Sequence, residues 1–146
     1  MATCRPVEIQ HVGCSWLAAA ERATTAMNDN RLLIVDDDRD TCSNLSDILT
    51  DLGYAVDVAY RGWDALDLIK DHHYRLALLD YRLPCMTGVQ LFHRMRQIDE
   101  NVAGLLVTGF ASRETEKEAL SAGLRDVVSK PVEMLKFLPL IEQTLA

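Results

Sequence analysis

Between residues 32 and 146 the chain alternates a short, mostly continuous apolar run with a stretch of helical periodicity, five times over. The runs are LLIV (32–35), YAVDVA (54–59), RLALLD (75–80), VAGLLVT (102–108) and RDVVS (125–129). A strand with one face in water alternates apolar and polar residues. Continuous runs instead mark strands covered on both faces, as in a parallel sheet between helix layers. The links are short, and parallel strands joined through helices cross over right-handed. The pattern predicts an α/β fold: an open, doubly wound parallel sheet of five strands with helices on both faces. In such a sheet, sites form beyond the carboxyl ends of the strands, where strand order reverses.

The intervening helices carry recognisable faces. Cys42, Leu45, Ile48, Leu49 and Leu52 share one face of the first, which Gly53 should stop. Trp63, Leu66 and Ile69 share one face of the second, so Trp63 is expected in the core. His72-His73 close that helix, where polar or cationic side chains suit the macrodipole. Val89, Phe92 and Met95 follow a Pro/Gly-containing loop that ends at Gly88. The fourth helix runs through SRETEKEALSAG to Gly123, and its mixed charges at 113–118 read as a solvated surface. Leu135, Leu138, Ile141 and Leu145 define the fifth. His11 and His93 have no evident partners.

Residues 1–30 stand outside this pattern and are expected to be a flexible extension of a domain at 31–146. SWLAAAERATTAM has only a thin apolar stripe, and MNDNRLLIVDDD reads as a natural beginning, so Met27 is the expected start. The polar stretch before Cys14 lacks the apolar core of an export signal. A chain of 146 residues can bury a substantial core. A net charge of −7 argues against nucleic-acid binding by this chain alone, because that requires a phosphate-neutralising basic face. No polybasic run addresses a membrane surface, and no apolar stretch approaches the roughly 18–20 residues of a span. Cys4, Cys14, Cys42 and Cys85 form no CxxC pair and no metal-ligand spacing, which suits a reduced, cytoplasmic setting.

The polar residues at the strand ends carry the chemistry. The first run leads into Asp36-Asp37-Asp38 and the third ends at Asp80, so adjacent parallel strands would gather Asp36, Asp37 and Asp80 in one pocket. Thr108 ends the fourth run and Lys130 follows the fifth. Clustered carboxylate oxygens suit Mg²⁺, which takes one or two carboxylates together with waters and phosphate. Lys130 can serve as a point charge for phosphate oxygens and Thr108 as a hydroxyl donor. A metal and an ammonium together would neutralise a carboxylate and an incoming phosphoryl group. Each residue alone has an ordinary reading as a helix cap, a strand end or a Lys-Pro strand stop; their combination on four strand ends carries the signal. Asp38 or Asp40 is expected to be the N-cap of the first helix.

With LLIVDDD, LALLDYRLPCMTG, LLVTGFAS and SAGLRDVVSKP in this order, residues 31–146 resemble the receiver domain of two-component response regulators, of the CheY-like superfamily. The resemblance implies a flavodoxin-like sheet of strand order 2-1-3-4-5 and a signalling protein rather than a dedicated enzyme. It implies that Asp80 accepts a phosphoryl group from a phosphohistidine on a sensor histidine kinase or phosphotransfer protein. It further implies Mg²⁺ held by Asp36, Asp37, Asp80 and the backbone carbonyl of Arg82, with Asp37 ligating directly and Asp36 through water. Lys130 would pair with Asp80 and then with the phosphoryl oxygens, Thr108 would move to the acyl phosphate, and the Lys130–Pro131 bond would be cis. The output would be switched contacts with a downstream protein, with a homodimer left open.

One position departs from the family pattern. Val127 stands three residues before Lys130, where the family usually has an aromatic residue that turns inward with the Thr. Arg82 and Phe110, two positions after Asp80 and Thr108, flank the expected phosphorylation site and could restrict the hydrolytic water. Two other functions fit parts of the pattern. A receiver-like interaction module that is never phosphorylated would explain Val127. A haloacid-dehalogenase-type phosphatase would use the D-x-D spacing at 36–38 with Asp36 as nucleophile, but Arg39-Asp40 follow and no acidic pair succeeds Lys130.

Overall fold

A computed structural model of the protein describes residues 30–145. The expectations for the extension, including a start at Met27, and for Cys4, Cys14 and His11 lie outside the described residues. The described chain runs β1 (Arg31–Val35), α1 (Arg39–Asp51), β2 (Ala55–Ala59), α2 (Gly62–Asp71), β3 (Leu76–Asp80), β4 (Arg82–Leu83), β5 (Met86–Thr87), α3 (Gly88–Ile98), β6 (Ala103–Thr108), α4 (Arg113–Ser121), β7 (Asp126–Ser129) and α5 (Met134–Leu145). Five strands form one parallel sheet in the order β2-β1-β3-β6-β7. This is the expected 2-1-3-4-5 order, because β4 and β5 pair only with each other in a two-stranded hairpin.

Burial explains why the apolar runs are continuous. Every residue of β3 is buried, as are Leu32–Val35 of β1 and Gly104–Thr108 of β6. The edge strands β2 and β7 are mostly half-buried, which is why a polar residue such as Asp57 can sit in β2. Alternate residues feed two cores. On one face, Leu33, Val35, Ala77 and Leu79 pack with Leu66 and Ile69 of α2, Leu91, Phe92 and Met95 of α3, and Ala119 of α4. On the other, Leu32, Ile34, Leu76 and Leu78 pack with Cys42, Leu45 and Leu49 of α1 and Phe137 and Ile141 of α5. Gly53 and Gly123 close their helices at φ +98° and +99°, in the left-handed region that favours glycine.

Four expected core positions are instead at the surface: Ile48 (36% exposed), Leu52 (54%), Trp63 (50%) and Leu135 (93%). The helices dock through a narrower stripe than the apolar pattern suggests, so residues flanking that stripe turn outward. Trp63 is covered on one face by Arg94, whose guanidinium carbon lies 5.0 Å from a Trp63 ring centroid. The α4 face is solvated as expected, with only Ala119 buried.

A polar triad secures one edge of the sheet. Arg31 Nη1 and the Tyr74 hydroxyl both donate to Asp57 Oδ2, at 2.8 and 2.6 Å. No helix among the described residues is long and apolar enough to cross a membrane.

Candidate functional site

The carboxyl edge of the sheet gathers the expected residues through strand register. β1 delivers Asp36, whose amide extends the ladder to Ala59 (3.2 Å) and whose carboxylate is buried. Asp80 is the last residue of β3 and pairs in register with Val107, so the next residue of β6, Thr108, falls beside it. Thr108 pairs with Ser129, and Lys130 continues β7 with its amide on the Thr108 carbonyl at 2.8 Å. Asp36, Asp80 and Thr108 are the buried polar residues among those described.

The three consecutive aspartates divide by the hydrogen bonds they make. Asp38 is the N-cap of α1: its carboxylate accepts from the Asp40 amide (3.1 Å) and the Thr41 hydroxyl (2.8 Å). The Thr41 hydrogen bond holds the Asp38 carboxyl below the usual carboxylate range. Asp36 accepts from the Asp38 amide at 3.0 Å, which turns the chain out of the strand. One carboxylate oxygen from each of Asp36, Asp37 and Asp80 lies within 4.8 Å of the other two. Asp37 is exposed, so the cluster opens to solvent on its side.

Lys130 stands between two of these acids. Its Nζ lies 2.7 Å from Asp36 Oδ2 and 3.4 Å from Asp80 Oδ1, so the contact expected with Asp80 is made but is the longer of the two. Burial pushes the Asp80 carboxyl above its ordinary value, and the Asp36 charge adds to that while Lys130 opposes it. Burial alone would lower the Lys130 ammonium, but the hydrogen bond and charge of Asp36, with Asp80, outweigh it and hold the pKa above ordinary. Three carboxylates facing one ammonium leave a charge of about −2 in the pocket. An all-oxygen donor set with that charge fits a small hard divalent cation such as Mg²⁺.

The loop after Asp80 is shaped to approach it. Arg82 pairs with Thr87 and Leu83 with Met86 around a Pro84-Cys85 turn, in which Cys85 takes φ +72°. This hairpin is absent from the sequence expectation because two-residue strands carry no periodicity. Gly88 returns the chain to β3, with its amide on the Tyr81 carbonyl at 2.8 Å. A Cβ there would be driven into the Asp80 carbonyl oxygen, so the close approach requires glycine. Thr87 and Gln90 form a capping box that starts α3. The Lys130–Pro131 bond is cis, as expected.

Several contacts around the site join residues that the sequence keeps apart. The buried Cys42 thiol donates to the Asp36 carbonyl at 3.2 Å, and burial with the Asp36 charge pushes its pKa to about 11. The Tyr81 hydroxyl donates to Glu118 on α4 at 3.1 Å. Arg82 and Phe110 are not independent loop residues: the guanidinium carbon lies 4.7 Å from the Phe110 ring centroid. Val127 is half-buried against the core on the α2, α3 and α4 side.

A family model for the response regulator receiver domain matches residues 32–142. A response regulator receiver protein from Anaeromyxobacter sp. (strain Fw109-5) is 38% identical over 110 residues, which cover 75% of this chain and 46% of the relative. The chain thus spans less than half the length of that relative. The crystal structure of a receiver domain protein from Methanospirillum hungatei JF-1 superposes with a TM-score of 0.76 at 34% identity, covering 80% of this chain and 93% of that one. A response regulator from Burkholderia pseudomallei, solved with a phosphorylated aspartic acid, a calcium ion and citrate, has a TM-score of 0.74 at 25% identity. That match covers 80% of this chain and 69% of the other.

Proposed function

This chain belongs to the response regulator receiver domain family, and from that premise we propose that Asp80 is its phosphoacceptor. The observation that carries the reading is the setting of Asp80. It is buried at the end of the central strand β3, 3.4 Å from Lys130 Nζ and clustered with Asp36 and Asp37. An Asp80 oxygen attacks the phosphorus of a phosphohistidine on a sensor histidine kinase or phosphotransfer protein. The P–O bond forms as the P–N bond breaks, and the imidazole leaves with a proton. Lys130, already between Asp36 and Asp80, turns to the phosphoryl oxygens as their charge arrives. Thr108 donates its hydroxyl hydrogen to the acyl phosphate.

Receiver domains bind Mg²⁺ at an acidic pocket, and here Asp36, Asp37, Asp80 and the backbone carbonyl of Arg82 would hold it. When bound, the ion supplies positive charge against the phosphoryl oxygens. The modified Asp80 then changes the protein's contacts with a downstream partner in a cytoplasmic signalling pathway. As a receiver domain the chain is a signalling module rather than a dedicated enzyme.

Incubation with acetyl phosphate and Mg²⁺, followed by intact mass measurement, tests the reading. A phosphoryl adduct should appear and should vanish in Asp80→Asn. Absence of an adduct at every Mg²⁺ concentration would favour a receiver-like module that is never phosphorylated, the alternative to which Val127 lends weight. An adduct on Asp36 would instead point to phosphatase chemistry.

A further inference from the structure

We propose that Arg82 reads the phosphorylation of Asp80 by exchanging the ring of Phe110 for a phosphoryl oxygen. The proposal rests on Asp80 being the phosphoacceptor and concerns how that event leaves the site. Arg82 lies two residues beyond Asp80, across a bend at Tyr81, so the two Cα atoms are at most about 7 Å apart, within reach of an arginine side chain. Between them Tyr81 is engaged elsewhere, with its hydroxyl on Glu118. The Arg82 guanidinium lies 4.7 Å over the Phe110 ring. It makes no ion pair among the described residues. An exposed cation over a ring is weakly held.

A phosphoryl group on Asp80 would carry about −1.5 to −2 charges, spread over three outward oxygens, where the carboxylate carried one. A planar guanidinium donates charge-assisted hydrogen bonds to phosphoryl oxygens, and such bonds outweigh an exposed cation–π contact. Arg82 therefore turns from the ring to the phosphoryl group. Phe110, 67% exposed even with Arg82 over it, loses its cover.

Backbone geometry couples the same ring to Thr108. The Phe110 amide donates to Thr108 Oγ1 at 3.2 Å, and Thr108 is buried. A hydroxyl can accept that hydrogen bond while donating its own hydrogen to the phosphoryl group. Movement of Thr108 toward Asp80 thus draws the Phe110 backbone with it while Arg82 departs. Val127 has no ring to swing, so in this chain the aromatic that responds is on the loop after β6 rather than on β7.

Nuclear magnetic resonance of the full chain, with beryllofluoride and Mg²⁺ standing in for the phosphoryl group, tests the exchange. Asp80 and Thr108 amides should shift on addition. With them, the Arg82 Nε proton should move downfield and exchange more slowly with water, and the Phe110 ring signals should move. In Arg82→Gln, which keeps the backbone carbonyl, the Phe110 ring should already lie near its adduct position, and most of its adduct-induced shift should be lost. In Phe110→Leu the Arg82 Nε response should persist. If Asp80 and Thr108 respond while Arg82 Nε and the Phe110 ring do not, the exchange is overturned and the phosphoacceptor reading stands. If Asp80 neither responds nor gains mass with acetyl phosphate, both fall.

Discussion

Lys130 Nζ sits 2.7 Å from Asp36, 94 residues away in sequence, and closer to it than to Asp80. The ammonium thereby lies where two acids would otherwise repel each other, and Lys130→Met removes it without removing the repulsion. Its expected cost is about 1.5–3 kcal/mol, the range for a hydrogen bond to a charged group that is only partly solvated. In an Asp36→Asn background the same substitution should cost markedly less, because one of the repelling charges is gone. Urea unfolding of the two single variants and the double variant measures this; equal costs in both backgrounds would show that the pair is not coupled.

Mg²⁺ should stabilise the wild-type fold, because a ligand that binds only the folded state raises stability by mass action. The increase in thermal midpoint with Mg²⁺ concentration should be largely lost in Asp37→Asn. Asp37 is exposed and makes no ion pair among the described residues, so that variant should fold normally without the metal. Undiminished stabilisation of Asp37→Asn by Mg²⁺ would exclude Asp37 as a ligand.

Gly88→Ala should damage the site more than Gly62→Ala. At Gly88 the added Cβ meets the Asp80 backbone and lies 2.9 Å from a Leu106 methyl, neither of which yields without moving β3 or β6. Such overpacking costs about 1–3 kcal/mol. At Gly62 the clash, at 2.5 Å, is with the flexible end of Met86, which can turn away. Comparative urea midpoints decide this, and a Gly88→Ala midpoint above that of Gly62→Ala would refute it.

The contrast marks which features the sequence reveals. β1, β3 and β6 are legible because burial on both faces leaves a continuous apolar run, and their ends fix where Asp36, Asp80 and Thr108 emerge. Gly53 and Gly123 are legible as helix stops because a positive φ is a local requirement. Trp63 and Leu135 mislead because helical periodicity reports which residues share a face, not whether another element covers it. The nearer approach of Lys130 to Asp36 is equally hidden, since it depends on three charges brought together by separate strands. The Arg82–Phe110 stack joins two loops, and neither loop alone betrays it.

The exposure of Trp63 has a measurable consequence. Trp63→Ala should cost only about 1–2 kcal/mol, from partial burial and the contact with Arg94. Phe92→Ala, at a ring with no exposure, should cost about 3–5 kcal/mol. Similar losses for the two in chemical unfolding would return Trp63 to the core.

Alkaline pH should expose the contribution of Tyr74. Its ring is fully buried, and burial, with the hydrogen bond to Asp57, pushes the phenol well above the ordinary tyrosine range. A group whose pKa is raised on folding contributes fully below its unfolded value, about 10 for tyrosine. Above that value the unfolded chain ionises while the folded one does not, so stability falls with rising pH until the folded phenol also ionises. The slope contributed by this one group reaches about 1.4 kcal/mol per pH unit. Tyr74→Phe removes the titration along with the hydrogen bond. It should lose about 0.5–1.5 kcal/mol near neutral pH, yet its urea midpoint should decline less steeply than wild type above pH about 10. Parallel pH profiles for the two proteins would mean that Tyr74 ionises as easily folded as unfolded, and that its hydroxyl is not the closed, Asp57-bound group at the edge of this sheet.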